Sequence, residues 1–229
     1  MTAGQTTRLP LFPLGSVLFP GLVLPLHIFE DRYRRLVREL LTQPEGTRRF
    51  GVVAIRYGAE AGQREPVLYE IGCTAELRRI DPLADGRFNI VAVGGSRFRV
   101  HAVDPSRPYL VGDVEELAEE AGDPAVATVL AQRLHRLFAD YLEALGELRA
   151  PNEDPPGSPD LPLDPVQLSH LVPAVALLDI ADKQRLLAEL DAVSRLRAAL
   201  GILARERTVV TLLHAVPAPE LLQVPRSAN

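Results

Sequence analysis

The 229-residue chain is 47% hydrophobic and 24% charged, the composition of a globular protein long enough to bury a core. Its net charge of −5 gives no general basic footprint, which counts against a binder held by nucleic-acid phosphates while leaving a local basic stripe open. Cys73 is the single cysteine, so an intrachain disulfide and a cysteine-based metal cluster are excluded and a reducing compartment is favoured.

Leu9–Phe29 holds no Asp, Glu, Lys or Arg, yet Pro10, Pro13, Pro20 and Pro25 interrupt it. Those prolines exclude a signal-peptide core and a membrane helix, since each breaks the helical ladder. With no other stretch long enough to span a bilayer, a cytoplasmic protein is expected. LPLF, SVLF and LVLPLHIF read as short extended segments, with Pro20-Gly21 as a turn. A helix begins near Phe29, with Glu30 and Asp31 in its first turn, where the helix dipole favours acids. Tyr33, Leu36, Val37, Leu40 and Leu41 form its apolar side and Arg32, Arg34, Arg35 and Arg38 face outward. Glu30–Arg34 and Asp31–Arg35 stand at i,i+4 spacing.

FGVVAIRY (50–57) reads as a strand, AEAGQREP as a loop and VLYEIGCTAELRRI as a second strand. Asp85-Gly86 marks a hairpin. RFNIVAV leads through a turn at Gly94-Gly95-Ser96 into RFRVHAV, and YLVGDVEEL closes the region. Short strands that are apolar on both faces near their middles predict a small twisted barrel. The remainder reads as helix: Asp123-Pro124 is an N-cap followed by proline, and three further helices lie in 163–178, 180–190 and 191–210. Asp182 and Asp191 are the expected caps, the proline-rich loop at 149–165 is expected to be exposed, and the tail from about Pro217 to fray.

Catalytic signatures are missing from these residues. There is no G-x-x-x-x-G-K-[ST] loop, no G-x-S-x-G elbow and no H-E-x-x-H, and the five histidines show no ligand spacing. His27 interrupts the apolar run and is assigned a structural hydrogen bond. A Ser–Lys dyad would need Lys183, the only lysine, to be desolvated; beside Asp182 on an amphipathic helix it reads as solvated and charged. Arg78, Arg79, Arg87, Arg97 and Arg99 could form a basic stripe, a pattern that solvated strand faces also produce.

The segments Leu9–Val37, FGVVAI, IGCTAELRRIDPLADGRFNIVAVGGSRFRV and DIADKQRLLAELDAVSRLRAAL, in this order, resemble the Lon protease N-terminal (LON substrate-binding) domain family. The resemblance runs from about Leu9 to Arg207 and rests on Pro20, Gly21, Pro25, Glu30, Arg32, Gly72, Asp85, Gly86, Gly94, Arg97, Phe98, Asp182 and Lys183. It implies an α+β fold: a PUA-like β pseudo-barrel over 9–117 behind a flexible 1–8, a helical subdomain over 118–210, and a tail over 211–229. The ATPase and peptidase modules of full Lon proteases have no counterpart in these residues, so the chain looks like a stand-alone, non-catalytic domain without cofactor or metal. The resemblance also implies binding of unfolded or exposed-apolar polypeptides, in an adaptor, regulatory or holding role alongside a protease or chaperone. Leu18, Phe19, Leu22, Phe29 and Tyr33 are the candidate contact residues, because such a binder needs exposed apolar surface on a rigid scaffold. PUA-like RNA binding is the alternative, and sparse aromatics (5%, no Trp) speak against it.

Overall fold

The computed structural model describes residues 6–57, 66–147 and 160–213. All but Pro66 of the expected loop at 59–66, most of the proline-rich loop and the expected fraying tail lie outside the described residues. Two compact units divide the chain, Met1–Ala118 and Glu119–Asn229.

The first unit holds β1 (Thr6–Leu14), β2 (Val23–Ile28), α1 (Asp31–Leu41), β3 (Arg49–Tyr57), β4 (Val67–Leu68), β5 (Ile71–Pro82), β6 (Phe88–Asp104) and β7 (Val111–Glu116). Strand β1 pairs antiparallel with β7 through Thr6–Pro10 and parallel with β3 through Leu11–Leu14. Because β7, β6, β5 and β3 already follow one another, that double pairing closes a five-strand ring. Strands β2 and β4 hang on it from β6 and β3. This is the pseudo-barrel, and closure satisfies the edges a flat sheet would leave open.

Leu9 and Leu11 of β1, Val53 of β3, Phe98 of β6 and Val114 of β7 form one buried cluster. Gly72 of β5 completes it, since a Cβ there would sit 2.5 Å from the Phe98 ring. Every strand of the ring therefore contributes to a single packed interior. A larger cluster joins Tyr33, Leu36, Val37 and Leu40 of α1 to Phe12, Phe50, Phe88 and Ile90 of the strands. Phe12 stacks on Tyr33 with ring centroids 3.9 Å apart. The helical spacing of those four α1 residues is what lets one turn-after-turn stripe seal the sheet.

Several local expectations hold. Pro20-Gly21 is a turn, with Leu22 N–H donating to Phe19 C=O at 3.2 Å and Gly21 at φ 80°. Asp85-Gly86 turns β5 into β6, with Gly86 at φ 79°. Others are corrected. SVLF is not extended strand but a connection that buries Leu18 and Phe19. Gly94-Gly95-Ser96 is no turn; it lies inside the single 17-residue strand β6. Two residues there, Gly95 and Ser96, stand opposite the single Thr74 and make a bulge rather than a reversal. A Cβ on Gly94 would fall 2.1 Å from Phe19 O, so this glycine admits the backbone of the preceding turn. On α1 the ion pairs are Arg32–Glu30 and Arg34–Asp31, not the i,i+4 pairs, and Arg34 also donates to Gly86 O at 2.8 Å. Glu30 is the N-cap and not part of the first turn.

The second unit comprises α2 (Pro124–Glu147), α3 (Pro165–Val175), α4 (Ile180–Ala188) and α5 (Ala192–Leu213). Asp123 caps α2 by accepting from Ala125 and Val126 N–H, and Asp191 caps α5 from Ser194 N–H at 2.7 Å. The cap of α4 is Asp179, which accepts from Asp182 N–H; Asp182 instead pairs with Arg205. Lys183 is likewise not on a solvated face. It donates to Ala174 O at 3.1 Å at the end of α3, and burial pushes its pKa down. Its neighbouring carboxylate, Asp182, is committed to Arg205.

Arg195, with no exposed side-chain surface, ties the helices together. Nη1 donates to Glu119 Oε1 at 3.0 Å and Ser169 Oγ at 2.8 Å, while Nε and Nη2 reach the carbonyls of Leu186 and Glu189. One guanidinium thus satisfies groups on α3, α4 and the segment before α2, which offsets the cost of burying its charge.

Two stability outcomes follow from this packing. Gly94→Ala forces the Phe19 backbone to move and should lower the urea unfolding free energy by about 1–3 kcal/mol. Arg195→Met removes the cation that joins Glu119, Ser169 and the carbonyls of Leu186 and Glu189, and should cost about 3–5 kcal/mol, read by the same denaturation.

Candidate polypeptide-binding surface

Period-two alternation organises β2. Leu24, Leu26 and Ile28 point toward the core, with Leu22 ahead of them, while Val23, Pro25 and His27 are exposed. Val23 lies opposite Val93 of β6, Pro25 opposite Val91 and His27 opposite Asn89. Beyond them on β5 come Glu76, Arg79 and Asp81. The outward face is therefore two apolar rows, Val23–Val93 and Pro25–Val91, bounded by a polar row. Val23 is 62% exposed, and Phe29, just past the strand, is 60% exposed.

His27 bounds this face and does so with both ring nitrogens engaged. Nδ1 lies 2.7 Å from Asn89 Oδ1, and Arg87 Nη1 lies 3.2 Å from Nε2. Arg87 must donate, so Nε2 accepts and the proton sits on Nδ1, which donates to the Asn89 carbonyl. The His27 ring lies 6.2 Å from that of Phe29. A structural role for His27 is what the sequence pattern suggested, and this geometry supplies it.

The five expected contact residues separate. Leu18 (6% exposed), Phe19 (0%) and Tyr33 (5%) are buried, and this corrects their assignment as contact residues. The turn at Pro20-Gly21 folds Leu18 and Phe19 back under β2 and β6, and Tyr33 is spent on Phe12. Leu22 is half-buried against the core. Phe29 alone of the five offers a large exposed surface. Val23, Val91 and Val93 were missed, although alternation over Leu22–Phe29 separates one face from the other and could have found Val23.

The basic stripe does not form. Arg78 pairs with Glu76, Arg79 with Asp81 and Arg87 with Asp85, each two residues away, and Arg97 is buried. Self-neutralised cations leave little to release counterions from a phosphate backbone. Cys73 is buried and its thiol is pushed up to about 12 by desolvation, so it is no thiolate nucleophile. Among the described residues no group of three or more His, Cys, Asp or Glu could hold a metal ion, and no helix is long and apolar enough to cross a membrane.

Residues 8–205 match the family described as the ATP-dependent protease La (LON) substrate-binding domain. The chain is 27% identical over 212 residues to a Lon protease of Desulforamulus reducens, covering 91% of this chain and 25% of that protein. It is 29% identical over 205 residues to Lon protease 2 of Sorangium cellulosum, again across 25% of the relative. The chain thus spans about a quarter of the length of the curated relatives it matches. A solved Lon N-terminal domain protein from Xanthomonas campestris superposes with TM-score 0.57 at 25% identity, over 85% of this chain and 98% of that one. The N-terminal domain of the Mycobacterium avium complex Lon protease, at 19% identity and TM-score 0.59, shares the fold over 86% of this chain and 98% of that one. A ring-closed barrel, a helical unit and a family match across most of the sequence agree: the chain belongs to the LON substrate-binding domain family.

Proposed function

We propose that this chain is a non-catalytic polypeptide-binding module that holds or presents chains with exposed apolar segments in protein quality control, as an adaptor or a holding protein. The observation that carries the reading is the outward face of β2 and β6. Val23 and Pro25 are exposed, Val91 and Val93 beside them are half-buried, and Phe29 is exposed just beyond His27, which together give an apolar surface on the barrel. Contiguous exposed apolar side chains on a rigid scaffold mark interaction sites, because their burial in a complex removes apolar area from water. The family's description as a substrate-binding domain supports the same reading. Lon proteolysis is not part of the proposal, since the match covers only the substrate-binding portion of those proteins and the sequence holds no Walker A loop.

The direct test is fluorescence anisotropy of labelled, chemically unfolded polypeptide against the purified protein. Val23→Asp and Phe29→Ala should each weaken binding by about tenfold, as truncation of an anchor at an interface does. Because both residues are exposed, urea midpoints should stay unchanged. Unaltered binding in both variants would remove this face as the site.

A further inference from the structure

Strand β6 outruns one of its two partners. Its pairing with β5 ends at Ile71 opposite Arg99, and Val100 N–H then donates to Glu70 O at 2.8 Å. Ahead of that point the chain leading into β5 keeps to β3: Leu68 lies opposite Ile55, and Tyr69 N–H donates to Ala54 O at 3.0 Å. Strand β6 continues with β7 alone beside it, Ala102 opposite Asp113, Val103 opposite Gly112 and Asp104 opposite Val111. Among the described residues the other backbone edge of Ala102–Asp104 therefore carries no strand, and neither does the side of β4 turned away from β3. Such an edge is a template for an extended chain.

Between the diverging strands lies a hollow of about 200 Å³, lined by Leu68, Tyr69, Glu70, Val100, Val103 and Leu110. Leu68, Val100 and Leu110 pack on the buried cluster of the ring, so barrel closure fixes the floor of the hollow. It is smaller than a cofactor or drug-sized ligand site and suits one large apolar side chain. Glu70 is the one charged residue in the lining, and its carboxylate makes no ion pair among the described residues. Arg56 lies over the Tyr69 ring, 5.9 Å from its centroid, and not on Glu70. Along the open stretch of β6 the charged groups are already engaged, His101 with Glu115 and Asp104 with Arg8. A cation is thus the complement that this rim lacks.

We propose that this end of the barrel is a second polypeptide subsite. An extended segment adds as a strand to Ala102–Asp104 of β6, seats one large apolar side chain in the hollow and sets a lysine or arginine of the same segment against Glu70. Main-chain hydrogen bonds then supply affinity, while the hollow and the carboxylate supply selectivity. The subsite rests on the polypeptide-binding reading above but not on the β2–β6 face. Its substrate class is narrower than exposed apolar chain in general: an apolar residue with a basic one close by, in a segment whose edge-facing backbone N–H groups are intact.

The experiment uses fluorescein-labelled heptapeptides with a central Leu or Phe followed by Arg, titrated against the whole chain. Each is also made with Glu in place of Arg, and in two N-methylated forms whose methyl groups occupy the two alternate sets of residues. The Arg form should bind about fivefold more tightly than the Glu form at low salt, with the gap closing at high salt and in Glu70→Gln. One methylated form should lose about tenfold and the other stay within about twofold, because only one set of N–H groups faces a strand edge. Val103→Asn should weaken the Arg form by about fivefold with an unchanged urea midpoint, and Val23→Asp should leave it unaltered. Equal binding of the two methylated forms, or of the Arg and Glu forms, would overturn the subsite. So would loss of the peptide in Val23→Asp, which would return it to the β2–β6 face. No peptide binding while unfolded polypeptide is still bound would overturn the subsite alone; loss of both would overturn the proposed function as well.

Discussion

Strand β1 binds two neighbours with two halves of its length, and the barrel depends on that. Thr6–Pro10 runs antiparallel to β7 and Leu11–Leu14 runs parallel to β3. Without the second pairing, the sheet would be an open ribbon with exposed edges at β1 and β3. With it, the ring has a single interior into which Leu9, Leu11, Val53, Phe98 and Val114 pack. Glycine is required where that interior is tightest, as at Gly72 against the Phe98 ring.

Closure also explains where apolar surface remains. A strand inside the ring spends both its backbone edges on neighbours, and its inward side chains on the core. Strand β2 is hung on β6 outside the ring, so one edge and one face are left over. The inner face, through Leu24, Leu26 and Ile28, finishes the core around α1. The outer face has no such task, and the sequence nevertheless keeps Val23 and the adjoining Val91 and Val93 apolar. Pro25 serves both demands: it fits a strand because its missing N–H faces away from β6, and it discourages pairing on the open side.

In the helical unit a buried charge takes the place that a larger apolar contact would hold elsewhere. Arg195 gathers Glu119, Ser169 and two helix-end carbonyls, so it joins segments distant in sequence. Removing the partner of such a charge is costly because the low-dielectric surroundings offer no replacement for water. The same logic gives Lys183 its place against the end of α3, where a half-buried ammonium completes a carbonyl.

Sequence by itself determined the elements whose signals are local. The α1 stripe, the caps at Asp123 and Asp191, the turns at Gly21 and Gly86 and the succession from strands to helices depend on spacing and backbone chemistry within a few residues. Ordered motifs along most of the chain were enough to indicate its family. Only the tertiary structure decided which apolar residues face water. Leu18 and Phe19 are as apolar as Val23 and Phe29, and nothing in their immediate neighbours marks them as buried. Their burial is set by a turn that lays Phe19 across Gly94, some seventy-five positions further along. It also decided that Gly94–Ser96 bends a strand instead of reversing it, because the partner that demands those glycines is remote in sequence. How Leu18 and Phe19 are covered is a property of long-range closure, whereas alternation within β2 is a short-range pattern that already turns Val23 outward.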